Sequence, residues 1–375
     1  MAKRELIDTK FHTKTLLVGV YAPYNKTGSV ESYYEEFINL AKTYGVTDYD
    51  VHFVKLRSVD SRYFFTKGKL EELKEAFDQS NAEEIIISEQ LSTQQERNLQ
   101  NLFDCSLLDR TRLILAIFEN AAITAEGKTQ VEIAKLQFEK SRLAGKGVHL
   151  EQQAGAIGVR GGPGETLKEK TVRYINKTIH TLKQRLEKIE RSRDAQRKQR
   201  LSKKVPQICL VGYTNAGKSS ILNKLTHSDV LAKDQLFATL DSTTRQLFID
   251  KKKVGVISDT VGFIQQLPHQ LIDSFKSTLA ELTYANLLLV VVDISDNDWK
   301  THINTVLETL EELEIEKDVL FVFNKSDKLA EQELKQRLSE FGFFGQYVVI
   351  NTIDSDGLIP LKKFLANWST THEQS

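Results

Sequence analysis

The chain has 375 residues, with 51 basic and 51 acidic side chains and a formal net charge of zero. That length exceeds one ordinary core and points to two or three domains, while neutrality excludes nucleic-acid binding by bulk charge and leaves it to local patches. Two cysteines far apart in sequence, Cys105 and Cys209, exclude a disulfide framework and fit a reducing cytosol; the run Leu287–Val292 is too short to span a bilayer, and no signal peptide is read behind Lys3 and Arg4.

Residues 1–120 are expected to form a small α/β domain with a mostly parallel sheet. Apolar runs at Thr15–Tyr21, Val51–Val54 and Ile85–Ser88 predict buried strands, and Leu113–Phe118 is a candidate fourth. Between them Ser32–Tyr44, Gly68–Gln79 and Thr93–Leu102 carry helical apolar spacing. No nucleotide motif occurs here, so binding or scaffolding is the expected role.

Residues 121–205 predict an antiparallel helical hairpin. Its first helix runs from about Thr129 to Ala144, with Ile133, Leu136 and Phe138 apolar among charges. Its second begins near Glu165 and extends towards Lys204, with a heptad seam of Val172, Ile175, Ile179, Leu182, Leu186 and Ile189. The end of this helix is basic, with Lys183, Arg185, Lys188, Arg191, Arg193, Arg197, Lys198, Arg200, Lys203 and Lys204 against only Glu187, Glu190 and Asp194, which describes either a solvated face or a phosphate-backbone contact. The connection 145–164 is far longer than a hairpin needs and rich in glycine, so it is either disordered or made to enter a partner; Lys146, His149 and Arg160 are its cationic or potentially cationic members.

Pro206 opens a third domain, residues 206–369, followed by a tail, 370–375. The run Ile208–Val211 predicts a buried strand, and Ser220–Leu225 a helix start. Between them Gly212-Tyr213-Thr214-Asn215-Ala216-Gly217-Lys218-Ser219 matches the phosphate-binding pattern G-x-x-x-x-G-K-[ST]. Backbone N–H groups of such a loop wrap the α- and β-phosphates, Lys218 reaches the β- and γ-phosphates as a catalytic group, and the Ser219 hydroxyl ligates Mg²⁺. Strands at Gln246–Ile249, Val254–Ser258, Leu287–Asp293, Val319–Phe323 and Tyr347–Ile350 alternate with helices at His269–Tyr284, Lys300–Leu313, Glu331–Phe341 and Leu358–Trp368, the pattern of a doubly wound sheet.

Two further boxes follow predicted strands directly. Asp259-Thr260-Val261-Gly262 is a D-x-x-G box, in which Asp259 holds Mg²⁺ through water and the Gly262 N–H meets the γ-phosphate. Asn324-Lys325-Ser326-Asp327 is an N-K-x-D box. Guanine presents N1–H and N2–H₂ on one edge, which the Asp327 carboxylate accepts together, and adenine offers no such pair. Asn324 bonds N7 and supports the phosphate loop, and the Lys325 stem covers the base. In the loop between these boxes, Thr239 is the first choice for the threonine that reaches both Mg²⁺ and the γ-phosphate, with Thr243 in reserve; release of that phosphate frees the loop. Phe263 stands where many GTPases carry the glutamine that orients water, so slow intrinsic hydrolysis is expected. Asn215 in the phosphate loop raises K⁺ beside the phosphates as a second cation.

Together these stretches resemble the HflX family of the Obg–HflX superfamily of GTPases. The resemblance rests on GYTNAGKS at Gly212–Ser219, LFATLDSTTR at Leu236–Arg245, DTVGF at Asp259–Phe263 followed by Leu267-Pro268-His269, and GAIGVRGGPGET at Gly155–Thr166. Gln95–Leu99 and Asp109–Thr111 are similar to motifs of the family's N-terminal domain. The resemblance implies a cytoplasmic, monomeric GTPase that binds the large ribosomal subunit and splits stalled or idle ribosomes, often under heat or antibiotic stress. The loop around Gly155–Gly164 would then enter near the peptidyl-transferase centre and the basic helix, with Arg191 and Arg197, would lie on ribosomal RNA. The implied GTP/GDP site comprises Gly212–Ser220, Phe237, Ala238, Thr239, Leu240, Asp259, Thr260, Val261, Gly262, Asn324, Lys325, Asp327 and the last guanine box at Asn351, Thr352 and Ile353. Departures are the extra glycine at Gly161-Gly162, the loss of acidic and polar positions at Leu167–Arg173 and the degenerate last box; with little chain after the final helix, the extra C-terminal domain of many relatives is expected to be absent. The alternative is a guanine-nucleotide-switched assembly or RNA-binding factor without splitting activity.

Overall fold

The computed structural model describes residues 13–25, 29–145, 167–202, 205–226, 236–237, 240, 243–265, 281–341, 345–354 and 356–373. The chain divides into two compact units, residues 1–120 with 132–182, and residues 121–131 with 183–375.

In the first unit the order is β1 (Thr15–Tyr21), α1 (Val30–Tyr44), β2 (Tyr49–Lys55), α2 (Lys67–Ser80), β3 (Glu84–Ile87), α3 (Thr93–Phe103), β4 (Ser106–Leu108) and α4 (Arg110–Ala121). The four strands are parallel, in the order β2-β1-β3-β4. Leu16, Val18 and Val20 of β1 pack with Ile85 and Ile87 of β3 against Leu73, Leu99 and Phe103. The helices start where side chains satisfy the free N–H groups: Ser29 accepts from the Ser32 N–H, and Ser92 and Gln95 form a reciprocal capping box at α3.

The expected strand at Leu113–Phe118 is instead the middle of α4. Leu113, Ile114, Leu115, Ile117 and Phe118 are all buried, so the run is apolar around the helix and its periodicity cannot separate helix from strand. The deciding signal is Asp109, whose carboxylate accepts from the Arg112 N–H at 2.9 Å and caps the helix.

Helix α5 (Ala125–Gly145) follows, and α6 (Leu167–Ser202) carries the expected heptad seam: Ile175 and Leu182 are buried, and Val172, Ile179, Leu186 and Ile189 are half-buried. Near its end α5 is fixed to α3 and α4 by a buried charge network. Arg142 pairs with Glu96 and, at 2.6 Å, with Asp109, while Arg112 also pairs with Glu96.

The second unit contains β5 (Gln207–Gly212), α7 (Lys218–Thr226), β6 (Thr243–Ile249), β7 (Lys252–Asp259), β8 (Leu287–Asp293), α8 (Trp299–Glu312), β9 (Asp318–Asn324), α9 (Glu331–Phe341), β10 (Tyr347–Val349) and α10 (Ile359–Glu373). The sheet runs β10-β9-β8-β5-β7-β6, parallel except for the β6–β7 pair. Alternate residues of β5 enter two cores. Ile208 and Leu210 pack with Ile221, Leu222, Leu361 and Leu365, whereas Cys209 and Val211 pack with Trp299, Ile303 and Phe341. Helices therefore cover both faces, and β7 and β8 lie on opposite sides of β5, so the direction in which strands are added reverses there. That topological switch point is where a doubly wound sheet opens its ligand crevice. Of the helix expected at His269–Tyr284, only the turn at 281–284 is described; residues 266–280 lie outside the described residues.

Candidate active site

The phosphate loop spans the turn from β5 to α7. Asn215 has φ 60° and Gly217 φ 99°, left-handed values that let the backbone N–H groups curl inward. A Cβ on Gly217 would run into the Asn324 side chain, so glycine is required by a close approach as well. Lys218 is buried at the first position of α7 and donates to the carbonyls of Gly212 at 3.1 Å and Tyr213 at 2.7 Å. Burial pushes its ammonium down to about 8, against the opposing pull of Asp259.

The D-x-x-G segment lies alongside. The Ser219 hydroxyl donates to Asp259 Oδ2 at 2.6 Å, bringing together two hard oxygen donors of the kind Mg²⁺ prefers. Thr260 turns its hydroxyl to the Leu210 carbonyl at 2.7 Å and Val261 is buried, so both hold the segment to the sheet. A Cβ on Gly262 would sit 2.8 Å from Thr214 Cγ2 and 3.0 Å from Lys218 Nζ. Only glycine brings its N–H this close to the phosphate loop. Phe263 pairs in parallel with Tyr213: its N–H donates to Gly212 O at 3.1 Å, and its carbonyl accepts from Thr214 N at 2.8 Å. Its ring is buried in the core with Cys209, Val211 and Val290.

The N-K-x-D box follows β9. Asn324 is fully buried and donates to the Ala216 carbonyl at 2.9 Å. Lys325 has φ 62° and pairs with Asp293 at 2.7 Å, which fixes the direction of its stem. Asp327 is exposed in the 3₁₀ turn Ser326–Lys328, and Ser326 donates to the Ile350 carbonyl at 2.9 Å. In the degenerate last box, Asn351 Oδ1 accepts from the N–H groups of Ile353 and Asp354, and Lys224 donates to the Ile353 carbonyl at 3.0 Å. Thr352 is half-buried in this turn and Ile353 exposed.

These placements gather the three boxes at the carboxyl ends of β5, β7 and β9. Ser220 lies in the first turn of α7, and Phe237 and Leu240 are buried. Ala238 and Thr239 lie outside the described residues, while Thr243, the reserve, opens β6 opposite Asp259. Among the expected RNA contacts, Arg191 is exposed on α6; Lys146, His149, Arg160 and the side chain of Arg197 lie outside the described residues. The sequence reading did not single out Lys224, Asp293 or His302. Asp293 ends a predicted strand, and that position at the crevice was the available signal; the other two lie in helices and touch the site only through long-range contacts.

Sequence models of three protein families match the chain: GTP-binding GTPase N-terminal over residues 31–119, GTP-binding GTPase Middle Region over 121–200, and 50S ribosome-binding GTPase over 207–325. GTPase HflX of Magnetococcus marinus is 41% identical over 304 residues, covering 81% of this chain and 70% of that protein. GTPase HflX of Escherichia coli is 43% identical over 302 residues, covering 80% and 70%. A crystal structure of SsGBP in complex with GDP aligns over 96% of this chain and 99% of its own, with TM-score 0.50 and 24% identity, a likeness of fold. With identity at this level over most of both chains, and with all three GTPase boxes assembled on one crevice, the chain belongs to the HflX family of GTPases.

Proposed function

We propose that this GTPase works on the large ribosomal subunit and uses its GTP cycle to split stalled or idle ribosomes. The observation that carries the reading is the Phe263 ring, buried in the core next to the D-x-x-G glycine. The phenylalanine side chain cannot orient water, so a partner or a rearranged loop has to complete the catalytic site. The description of the family matched by residues 207–325, a 50S ribosome-binding GTPase, supports the large subunit as that partner. Lys183, Arg185, Lys188 and Arg191 are exposed along α6, as a helix lying on ribosomal RNA requires.

In this reading residues 1–120, 121–205 and 206–369 act as N-terminal domain, hairpin and GTPase domain of a cytoplasmic monomer that also serves under heat or antibiotic stress. The loop 145–164, with Lys146, His149 and Arg160, probes the subunit, and Arg197 extends the RNA contact. Guanine is read by Asn324, Lys325 and Asp327 and by the turn at Asn351–Ile353. Ser219, Thr239 and, through water, Asp259 would hold Mg²⁺, which when bound neutralises charge on the phosphate oxygens. Lys218 orients the phosphates and draws off developing charge, and Thr239 closes over the γ-phosphate. Asn215 would favour K⁺ beside the phosphates; equal hydrolysis in Na⁺ and K⁺ at matched ionic strength contradicts that part.

The test is sedimentation of ribosomes with the protein and GTP, or a non-hydrolysable analogue. A shift from 70S particles to free subunits is expected, and deletion of residues 155–164 is expected to abolish it while GTP affinity stays. An unchanged subunit ratio with either nucleotide overturns splitting and leaves a nucleotide-switched RNA-binding or assembly factor, the second reading that the exposed basic face of α6 favours.

A further inference from the structure

We propose that His302 is a positioning residue for GTP hydrolysis: stacked on Tyr213, it holds the Tyr213 hydroxyl where that group anchors the chain beyond Gly262. Tyr213 is the second residue of the phosphate loop, and its side chain lies against His302 of α8 and the Gln265 backbone. The ring is buried and lies flat on the His302 imidazole, with centroids 3.8 Å apart and planes 12° apart. Its hydroxyl accepts the Gln265 N–H at 2.9 Å. His302 sits one turn into α8, a helix seated in the core by Trp299, Ile303, Val306 and Leu310. Its backbone N–H donates to the Asp298 carbonyl at 3.0 Å, and its Nδ1 lies 3.9 Å from Asp296.

Three hydrogen bonds among the described residues join the segments 212–214 and 263–265. Phe263 supplies two, both through its backbone. The third, from Gln265 to the Tyr213 hydroxyl, depends on where one phenol ring lies. Hydrolysis requires Gly262 to hold its register against the γ-phosphate, and the segment that carries Gly262 is clamped behind it by these bonds. With Phe263 where other GTPases carry a glutamine, the Tyr213 hydroxyl is a side-chain hold on this segment just beyond Gly262, and one face of its ring lies on His302. The stack should matter most to the reacting γ-phosphate and least to GDP, whose phosphates meet the loop backbone.

The test uses the full chain with His302→Ala and His302→Phe, reading single-turnover GTP hydrolysis, GDP and GTP affinities, and thermal melting. His302→Ala is expected to slow hydrolysis about fivefold or more while GDP affinity stays within about twofold. His302→Phe, which retains a flat ring on Tyr213, is expected to restore most of the rate, a rescue that a purely structural histidine would not link to hydrolysis. Tyr213→Phe keeps the stack and removes the acceptor, so it is expected to slow hydrolysis to a similar degree, and it decides the matter if His302→Ala does not fold. An unchanged rate in either His302→Ala or Tyr213→Phe, an equal loss of GDP and GTP affinity with the rate preserved, or a His302→Phe protein as slow as His302→Ala overturns the proposal.

Discussion

Asn324 donates its side-chain amide to the Ala216 carbonyl at 2.9 Å, joining the guanine loop to the phosphate loop across 108 residues of sequence. The two halves of the nucleotide site therefore share one buried polar group. Asn324→Ala leaves the Ala216 carbonyl without that donor, a loss of about 1–3 kcal/mol. The expected outcome is weaker binding of GDP and GTP together, by roughly one to two powers of ten, measured by fluorescent-nucleotide titration.

Asp327 stands exposed at the crevice, with its carboxylate available to a base edge. Asp327→Asn replaces an acceptor pair with an acceptor and a donor. Guanosine nucleotides are expected to bind on the order of a hundredfold more weakly or worse, and xanthosine nucleotides, whose C2 carbonyl accepts, to bind better than before. Competition between GDP and XDP for the variant reads this directly.

Lys218 gives a pH dependence with a definite sign. In the nucleotide-free site burial lowers its ammonium to about 8, and phosphate oxygens beside it raise that value. Binding therefore takes up a proton above about pH 8, and affinity for GDP is full below that pH and falls as the pH rises through it. The folded, nucleotide-free chain has the opposite trend: the unfolded lysine keeps its proton to higher pH, so stability rises with pH above about 8 from this group. Calorimetry in two buffers of different ionisation enthalpy measures the proton uptake.

Much of the fold was legible because its signals are local. Strand–helix alternation from Thr15 to Phe103 and the heptad seam of α6 follow from residue spacing alone. The run at Leu113–Phe118 was misread because a helix buried all round has no polar face to reveal its period, and the Asp109 cap was the stronger clue. The site divides the same way. The phosphate, D-x-x-G and N-K-x-D boxes are contiguous stretches beside strands. The partners that orient them, Asp293 on Lys325, Lys224 on the Ile353 carbonyl and His302 on Tyr213, are brought in by the sheet order and the packing of α7 and α8, which short-range spacing does not encode.

Arg142 tests the buried charge network of the first unit. Its removal leaves Glu96 and Asp109 buried without their shared cation, and truncation of such a partner costs about 3–5 kcal/mol. Arg142→Ala is expected to lower the melting temperature markedly, while GDP affinity, governed by β5, β7 and β9, stays near wild type. Differential scanning calorimetry with parallel GDP titration checks both.

The decisive measurement is GTP hydrolysis with and without purified large ribosomal subunits, in K⁺ buffer. Slow turnover is expected from the protein alone, with stimulation on the order of tenfold or more when the subunit completes the site that Phe263 leaves open. Tight GTP binding with no stimulation by the large subunit would contradict this.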